Sequence, residues 1–246
     1  MLAEEYKQHA RLEDTHWWFK ARRKIILSVL QRFSPKDYQH LVEIGCGTGG
    51  NLKFLGQYYK HILGVDISPY AVEFAKERVV GDILQGDFTE VLQSHWDELD
   101  TILLADVIEH IEDDHKFLHN IINSMKANTF LLITAPAHMS LWSPHDVALG
   151  HKRRYTIDTF QELWNHQPVE TLFLTPINCL LCPLIFLARW LQKDSNSGES
   201  DLKQHNRISN RILYFVFGIE QFWLKYFTLP WGCSYLALLK KVDHDT

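Results

Sequence analysis

Three glycines at alternate positions, Gly45, Gly47 and Gly49, form the segment of this sequence best suited to contact a ligand. They follow a short apolar run and precede a helical pattern, so the turn would lie where a strand gives way to a helix. Glycine lets the backbone turn tightly and approach a ligand closely. Because Gly50 follows, the segment also matches G-x-G-x-x-G, and the turn taken alone is compatible with a bound dinucleotide. Gly45 could also do no more than close a tight turn.

Acidic side chains accompany this turn and follow the next predicted strands. Glu43 precedes the turn, and Asp66 ends the second strand, where it could accept hydrogen bonds from both hydroxyls of a ribose. Asp87 follows a weaker third strand, and Phe88 offers an aromatic face to an adenine. The segment 105–110 follows the fourth strand. Because parallel sheets bind ligands beyond the carboxyl ends of their strands, the set points to an adenosine-containing cofactor more strongly than the turn alone.

The elements that would position these residues alternate along the chain. Short apolar runs predict strands at 41–44, 61–65, 83–84, 99–105 and 129–134, with helical spacing between them. Two further strands are predicted at 169–174 and 233–239. Ser68 before Pro69 predicts a helix start, although Asp66 could serve only to cap that helix. This order favours an α/β fold, a doubly wound, mostly parallel, seven-stranded Rossmann-like sheet with N-terminal helices and a helical insertion before the last strand.

On these motifs the chain resembles the class I S-adenosylmethionine-dependent methyltransferases. Residues 43–49 are similar to the first motif of that family, 64–69 to its second and 105–111 to its fourth, and the resemblance covers roughly residues 41–136. It implies methyl transfer with S-adenosylmethionine as the cofactor, with the glycine turn along its methionine and ribose portion. The cofactor-binding residues that it implies are Glu43, Gly45, Cys46, Gly47, Gly49, Asp66, Ile67, Asp87, Phe88, Ala105 and Asp106.

A second region suited to chemistry is the polar and aromatic segment 138–155, expected to be a loop beside the same sheet edge. A hydroxyl that accepts a methyl group must lose a proton, and histidine is the usual base near neutral pH. We predict His145, which lies beside Asp146, as the first candidate base, and His110 and His151 as the next. Each histidine could instead only satisfy a buried carbonyl. The spacing of the histidines matches no metal-ligand pattern, so no metal site is predicted.

The N-terminal segment 16–23 and the segment 141–155 resemble a bacterial subgroup of these enzymes, of small-molecule or lipid type, that has no settled substrate. The predicted substrate-binding residues are Trp18, Trp142, Arg153, Arg154 and Tyr155. Arg153 and Arg154 could pair with an acceptor phosphate or carboxylate. Alternatively, one of them could hold the N-terminal helix through an acid. The acids considered for this contact are Glu4, Glu5 and Glu13.

The length of 246 residues suits a single domain, which we predict over 1–246. Its predicted parts are an N-terminal helical cap at 1–36, a cofactor-binding core at 38–175, an apolar helical insertion at 176–231, and a closing strand and tail at 232–246. The polar segment 193–201 is predicted to be a linker within the insertion.

The apolar insertion leaves three interpretations open. Residues 171–188 carry no charge and approach the ~20 apolar residues of a membrane span. However, Pro176 and Pro183 interrupt them, and the first part is predicted to be a strand. The insertion could pack on the core, cover a hydrophobic acceptor as a lid, or anchor the protein at a membrane surface.

The net charge and the cysteine content indicate which partners and which cellular compartment to expect. The net charge of −5 gives no general attraction to nucleic acid. Four cysteines make no disulfide framework, and Cys179-x-x-Cys182 has apolar neighbours, which favours buried thiols. We therefore expect a cytoplasmic protein, with peripheral contact at the inner membrane as an open alternative, and a small-molecule or lipid-linked acceptor as its partner.

Three functions compete. The motifs favour a methyltransferase that moves the methyl group of S-adenosylmethionine to a small or lipid-linked acceptor, at oxygen. An NAD(P)-dependent oxidoreductase would need a second nucleotide-binding half, which the sequence does not show. A non-catalytic cofactor-binding module would bind a partner through the apolar C-terminal region.

Overall fold

The computed structural model describes residues 3–35, 39–191 and 206–243. The predicted linker at 193–201 lies outside these residues.

A seven-stranded sheet organises the molecule. The strands are β1 (His40–Ile44), β2 (His61–Asp66), β3 (Asp82–Gln85), β4 (Thr101–Ala105), β5 (Phe130–Pro136), β6 (Val169–Ile177) and β7 (Ser234–Lys241). Their order across the sheet is β3-β2-β1-β4-β5-β7-β6, and the first five strands run parallel. β7 runs antiparallel to β5 and β6. The predicted Rossmann-like, mostly parallel fold is therefore confirmed, with one antiparallel hairpin at its edge.

Helices cover both faces of this sheet. They are α1 (Ala3–Thr15), α2 (Trp17–Phe33), α3 (Gly50–Leu55), α4 (Pro69–Arg78), α5 (Phe88–Val91), α6 (Asp114–Ser124), α7 (Pro144–Leu149), α8 (Ile157–Glu162), α9 (Cys182–Leu191), α10 (Arg207–Gly218) and α11 (Glu220–Trp223). Short 3₁₀ turns lie at Ile108–His110 and Met139–Leu141. Strands β4 and β5 are buried along their whole length, as expected for strands covered on both faces.

Local sequence explains several helix ends. Ser68 accepts a hydrogen bond from Ala71 N and begins α4, as predicted. Ser34 follows the last residue of α2. The expectation of a loop over 138–155 was wrong in part, because α7 lies inside it. There Ser143 and Asp146 form a reciprocal capping box, which satisfies the free N–H groups of the first turn.

The N-terminal helices and the insertion pack against each other. Ile25, Ile26 and Val29 of α2 are fully buried. Trp18 of α2 stacks on Phe217 of α10, with ring centroids 5.0 Å apart. The insertion therefore contributes to the core, one of the three alternatives left open by the sequence. Among the described residues, no helix has the length and apolar character that a membrane crossing requires.

Candidate active site

The glycine turn after β1 has the backbone conformation that its residue types suggest. Gly45, Gly47 and Gly49 have φ values of +74°, +53° and +80°, a region that side chains disfavour. A Cβ atom on Gly45 would come within 2.7 Å of Val107 Cγ2, so no larger residue fits. A Cβ atom on Gly47 would meet no protein atom within 4 Å. Open space therefore lies beside Gly47, as a site for close ligand approach requires.

Asp66, at the end of β2, holds this turn in place. Its Oδ2 accepts a hydrogen bond from Gly47 N at 2.8 Å, and its Oδ1 accepts one from Ser68 N at 2.9 Å. Ser68 itself caps α4, so capping that helix is not the task of Asp66. The carboxylate instead joins the turn to the second strand and keeps lone pairs for a further donor.

Glu43 brings a buried acid to the turn. Its Oε1 accepts a hydrogen bond from Asn51 Nδ2 at 2.6 Å, whereas its Oε2 is buried without a hydrogen-bond partner. Burial raises the pKa of Glu43 to about 8; Glu13 adds to this shift, and Asn51 and Arg22 oppose it. A ligand that brings a positive charge or a donor to Oε2 would be stabilised here.

Asp106, after β4, lies opposite the turn in an unusual backbone conformation, with φ of +58°. Its Oδ1 accepts a hydrogen bond from Thr134 Oγ1 at 2.8 Å, and its Oδ2 accepts one from Arg22 Nη1. Arg22 is buried, and burial lowers the pKa of its guanidinium to about 10. Such strained residues are concentrated at functional sites, since the surrounding contacts must hold them in place.

Side chains of the N-terminal helices and of α4 form hydrogen bonds that hold the glycine turn in place. Arg23 Nη1 donates to Gly50 O at 2.6 Å, and Arg78 Nη1 donates to Thr48 O at 2.6 Å and to Glu13 Oε2 at 2.7 Å. Thr48 Oγ1 also donates to Glu13 Oε2. Glu13 is therefore held by Arg78, and not by Arg153 or Arg154, which pair with Asp114 and Asp146. The side chains of Glu4 and Glu5 lie outside the described part of the structure, so a contact through them stays untested.

One cavity of about 600 Å³ joins the glycine turn to the predicted acceptor region. Six of the predicted cofactor residues line it: Glu43, Gly45, Cys46, Gly47, Ala105 and Asp106. All three predicted catalytic histidines, His110, His145 and His151, also line it. A volume of this size lies within the roughly 300–1,000 Å³ range of ligand pockets. The turn and the acidic groups beside it thus fit a cofactor with a cationic sulfonium and amino group.

The other predicted cofactor residues lie outside the lining of this cavity. Asp66 bonds to the turn from the end of β2, Gly49 follows the turn, and Ile67 is exposed. Asp87 caps α5 by accepting a hydrogen bond from Thr89 N at 2.8 Å. Phe88 is buried and packs edge-to-face on Phe117, with ring centroids 5.1 Å apart. The contacts of these residues with a cofactor stay predictions.

Asp146 organises the histidine side of the cavity. This fully buried carboxylate accepts hydrogen bonds from His151 Nδ1 and Arg154 Nε, both at 2.8 Å, and from Ser143 Oγ at 3.1 Å. Burial opposes its ionisation, but the bonds from His151 and Arg154 hold the pKa of Asp146 well below its usual range. The carboxylate expected to act on its neighbour His145 therefore orients His151.

His151 in turn lies beside His110 and Glu109. The two imidazole rings are 4.8 Å apart between centroids. The surrounding protein removes water from His110 and lowers its pKa to about 4, and His151 adds to this shift. Glu109 is fully buried, burial raises its pKa to about 8, and neither of its carboxylate oxygens has a hydrogen-bond partner. One potential ligand atom from each of the three residues lies within 4.8 Å of the others, a grouping that could hold a metal ion and that the sequence analysis did not predict.

The predicted substrate-binding residues divide into two groups. Trp18 and Arg154 line the cavity. Arg153, Tyr155 and Trp142 do not. The guanidinium of Arg153 lies 2.8 Å from Asp114 Oδ1, and Tyr155 donates to Asp114 Oδ2 at 2.7 Å. Asp114 thus gives both side chains an internal partner, and their contact with a substrate stays a prediction.

Besides Glu109, the sequence analysis missed Arg22 as a site residue. Neighbouring basic residues are usually solvated, yet Arg22 and Arg23 are buried. The sequence does contain a pattern that indicates burial of Arg22. Phe19, Arg22 and Ile26 follow each other at helical spacing on the apolar face of α2. A basic residue within such a face implies a buried partner, which here is Asp106.

The cofactor side of the site coincides with a known domain family. Residues 42–133 match the family described as a methyltransferase domain. N-methyltransferase 4 of Papaver somniferum is 30% identical to this chain over 135 residues, which is 51% of this chain and 38% of that protein. The chain therefore spans well under half the length of that relative.

Two solved structures share the whole fold. A SAM-dependent methyltransferase from Archaeoglobus fulgidus superposes with a TM-score of 0.57 and 19% identity, over 95% of this chain and 99% of that one. The N-methyltransferase NodS from Bradyrhizobium japonicum, solved with S-adenosyl-L-homocysteine, superposes with a TM-score of 0.56 and 14% identity, over 95% and 91% of the two chains.

Proposed function

We propose that this chain, whose residues 42–133 carry the methyltransferase domain of the class I S-adenosylmethionine-dependent family, methylates an oxygen of a small or lipid-linked acceptor. The observation that carries the proposal is the single cavity that joins the glycine turn to the three histidines. The turn would hold the cofactor with its methyl group directed at the acceptor. Such an arrangement accelerates transfer by proximity and alignment.

The residues in and around the turn would bind the cofactor in different ways. Gly47 leaves room for close approach of the ligand. Asp66 holds the peptide of Gly47 by accepting a hydrogen bond from its N–H. Glu43 and Asp106 present carboxylate groups to the same cavity. S-adenosylmethionine supplies the electrophilic methyl group, and these acids would favour its positive charges.

The acceptor side combines histidines with apolar side chains. His145 would take the proton from an acceptor hydroxyl as it attacks, the role predicted from the sequence. Leu184 and Ile185 of α9 and Leu213 of α10 line the same cavity. This apolar lining supports an acceptor with a hydrocarbon portion.

The binding test uses two glycines with matched backbones. Gly47→Ala and Gly150→Ala both place a side chain at positive φ, +53° and +75°, where a Cβ atom meets no protein atom within 4 Å. Both variants should lose about 1–2 kcal/mol of stability to backbone strain. Only Gly47 lines the cavity. We expect S-adenosylhomocysteine affinity, measured by calorimetry, to fall at least tenfold in Gly47→Ala and to stay unchanged in Gly150→Ala.

Equal affinities of the two variants would contradict the assignment of the cofactor to this turn. A preference of the unmodified protein for NADH over S-adenosylhomocysteine would instead favour an oxidoreductase.

The acceptor test supplies methyl-labelled S-adenosylmethionine to fractionated cell extract together with the purified protein. Label in an oxygen-linked product of the lipid fraction supports a lipid-linked acceptor, and label in the water-soluble fraction supports a small molecule. Label on nitrogen would contradict the choice of oxygen while leaving methyl transfer in place.

A further inference from the structure

Three side chains able to bind a metal ion meet on the histidine side of the cavity. Glu109 and His110 belong to the 3₁₀ turn after β4, and His151 follows α7. One ligand atom from each lies within 4.8 Å of the others, and all three residues line the cavity. Since zinc–nitrogen and zinc–oxygen distances are about 2.0–2.2 Å, small side-chain rotations would bring the three groups around one ion.

The carboxylate of Glu109 gives an independent indication of a missing ligand. The residue is fully buried, and both of its side-chain oxygens lack a hydrogen-bond partner. Buried polar groups in proteins are nearly always paired, and an unpaired one lowers stability. The nearby cations do not fill this role, because Arg22 pairs with Asp106 and Arg154 with Asp146.

The two histidines are held as metal-binding histidines usually are. His151 Nδ1 donates to the buried carboxylate of Asp146, which leaves Nε2 with the free lone pair. Asp146 is itself fixed by Arg154 and Ser143. The backbone of Gly150 lies beside the ring of His110. A second contact of this kind orients a ligand imidazole and selects its tautomer.

We propose that Glu109, His110 and His151 bind a divalent transition-metal ion. Two imidazoles and one carboxylate suit zinc, manganese, cobalt or ferrous iron better than magnesium or calcium, which prefer oxygen ligands. Three protein ligands leave a coordination position open towards the cavity, as in catalytic metal sites.

The use of this ion rests on the proposed function, whereas its binding does not. An acceptor oxygen in the open position would be oriented towards the cofactor and would lose its proton more readily. With His110 and His151 engaged as ligands, His145 is the remaining candidate base among the three predicted histidines.

The test is a titration of the full chain, stripped of metal, with Co²⁺ alone, followed by visible absorption and by competition with Zn²⁺. We expect one ion per chain. Glu109→Gln, His110→Ala and His151→Ala should each weaken binding at least 100-fold, more than the roughly 10–100-fold loss expected for the positioning variant Asp146→Asn.

The matched control is His119→Ala, which removes an exposed histidine that contacts Gln167 and Asn123 and is not part of the cluster. Its Co²⁺ affinity should equal that of the unmodified protein. Far-UV circular dichroism reports folding. Since His110 is the most exposed of the three ligands, His110→Ala remains informative if the variants of the more buried residues fail to fold.

Absence of stoichiometric Co²⁺ binding would overturn the proposal, as would an equal loss of affinity in His119→Ala and His110→Ala. Strong thiolate-to-cobalt absorption would also overturn it, because it would place the ion at the buried cysteines. S-adenosylhomocysteine binding, measured in the presence of EDTA, tests the proposed function separately, so either proposal can fail without the other.

Discussion

At the scale of single residues, the raised pKa of the buried acid Glu43 makes the stability of the protein depend on pH. Its folded pKa of about 8 lies above the value of 4.5 expected in an unfolded chain. Between these values the folded state binds more protons, so its stability falls as the pH rises. Burial is the main cause, Glu13 and Asp66 add to the shift, and Asn51 and Arg22 oppose it.

We expect Glu43→Gln to reduce this loss of stability between about pH 5 and 8. Urea unfolding across that range measures the effect, and the free energy of unfolding of the variant should change less steeply with pH. Asp87→Asn serves as the control, because Asp87 is exposed. A variant as steep as the unmodified protein would show that Glu43 ionises normally.

His145 carries a prediction about the chemical step. It lines the cavity, and a general base contributes typically 10²- to 10⁴-fold to a rate. We expect His145→Ala to lower kcat at least 100-fold and to leave the Kd for S-adenosylhomocysteine unchanged. The assay uses the extract fraction that accepts label, with His119→Ala as the control. An unchanged kcat would remove His145 as the base.

Residues that act within one short segment could be predicted from the sequence, and residues that meet across the fold could not. The glycine turn and the acids Glu43 and Asp106 follow from strand ends that share one sheet edge. The partner of Asp146 did not follow, because sequence adjacency suggested His145 and the folded chain brings His151 instead. Glu109 is 42 positions from His151, so no local spacing could reveal their cluster.

At the scale of elements, α1 acts on the cofactor turn through one buried ion pair. Glu13 accepts from Arg78 at 2.7 Å, and both side chains are mostly buried. Removing one partner of such a pair leaves an uncompensated charge and costs about 3–5 kcal/mol. Arg78 and Thr48 are bonded to each other, so Glu13→Ala would also loosen the turn.

We expect Glu13→Ala to lower stability by about 3–5 kcal/mol and to weaken S-adenosylhomocysteine binding. Thermal unfolding and calorimetry measure the two effects. Asp14→Ala is the matched control, because Asp14 also contacts Arg78, at 3.0 Å, but its side chain is 39% exposed. Exposed pairs contribute about 0–1 kcal/mol. Equal losses of stability in both variants would show that the contribution of the Glu13–Arg78 pair does not depend on burial.

The ends of helices could be predicted from the sequence where a capping residue marks them. Ser68 begins α4 as predicted, and Thr156 caps α8 in the same way. The helix α7 was not predicted, because the polar and aromatic composition of 138–155 suggested a loop. Its stability depends on the buried Asp146, whose side chain accepts from Ser143 N at 2.9 Å. Burial of that aspartate depends on tertiary contacts that local patterns do not contain.

At the scale of the molecule, the insertion leaves a large apolar patch exposed. The patch consists of Ile212, Phe215, Phe222, Trp223, Tyr226 and Phe227, each more than half exposed. Large exposed apolar patches mark interaction surfaces. Leu184 of α9 is exposed and also lines the cavity, so the insertion has both an outer apolar surface and an inner one. We propose that this patch contacts a membrane surface from which a lipid-linked acceptor would reach the cavity.

We expect the protein to sediment with vesicles of phosphatidylcholine and phosphatidylglycerol, and Trp223→Ser to weaken this binding about tenfold or more. Burial of one large apolar side chain contributes about 1.5–3 kcal/mol, and 1.4 kcal/mol corresponds to tenfold in affinity. Val80→Ser is the control, since Val80 is 97% exposed and precedes β3, outside the patch. If the unmodified protein stays in the supernatant while label enters the water-soluble fraction, the acceptor is a small molecule and the patch has another partner.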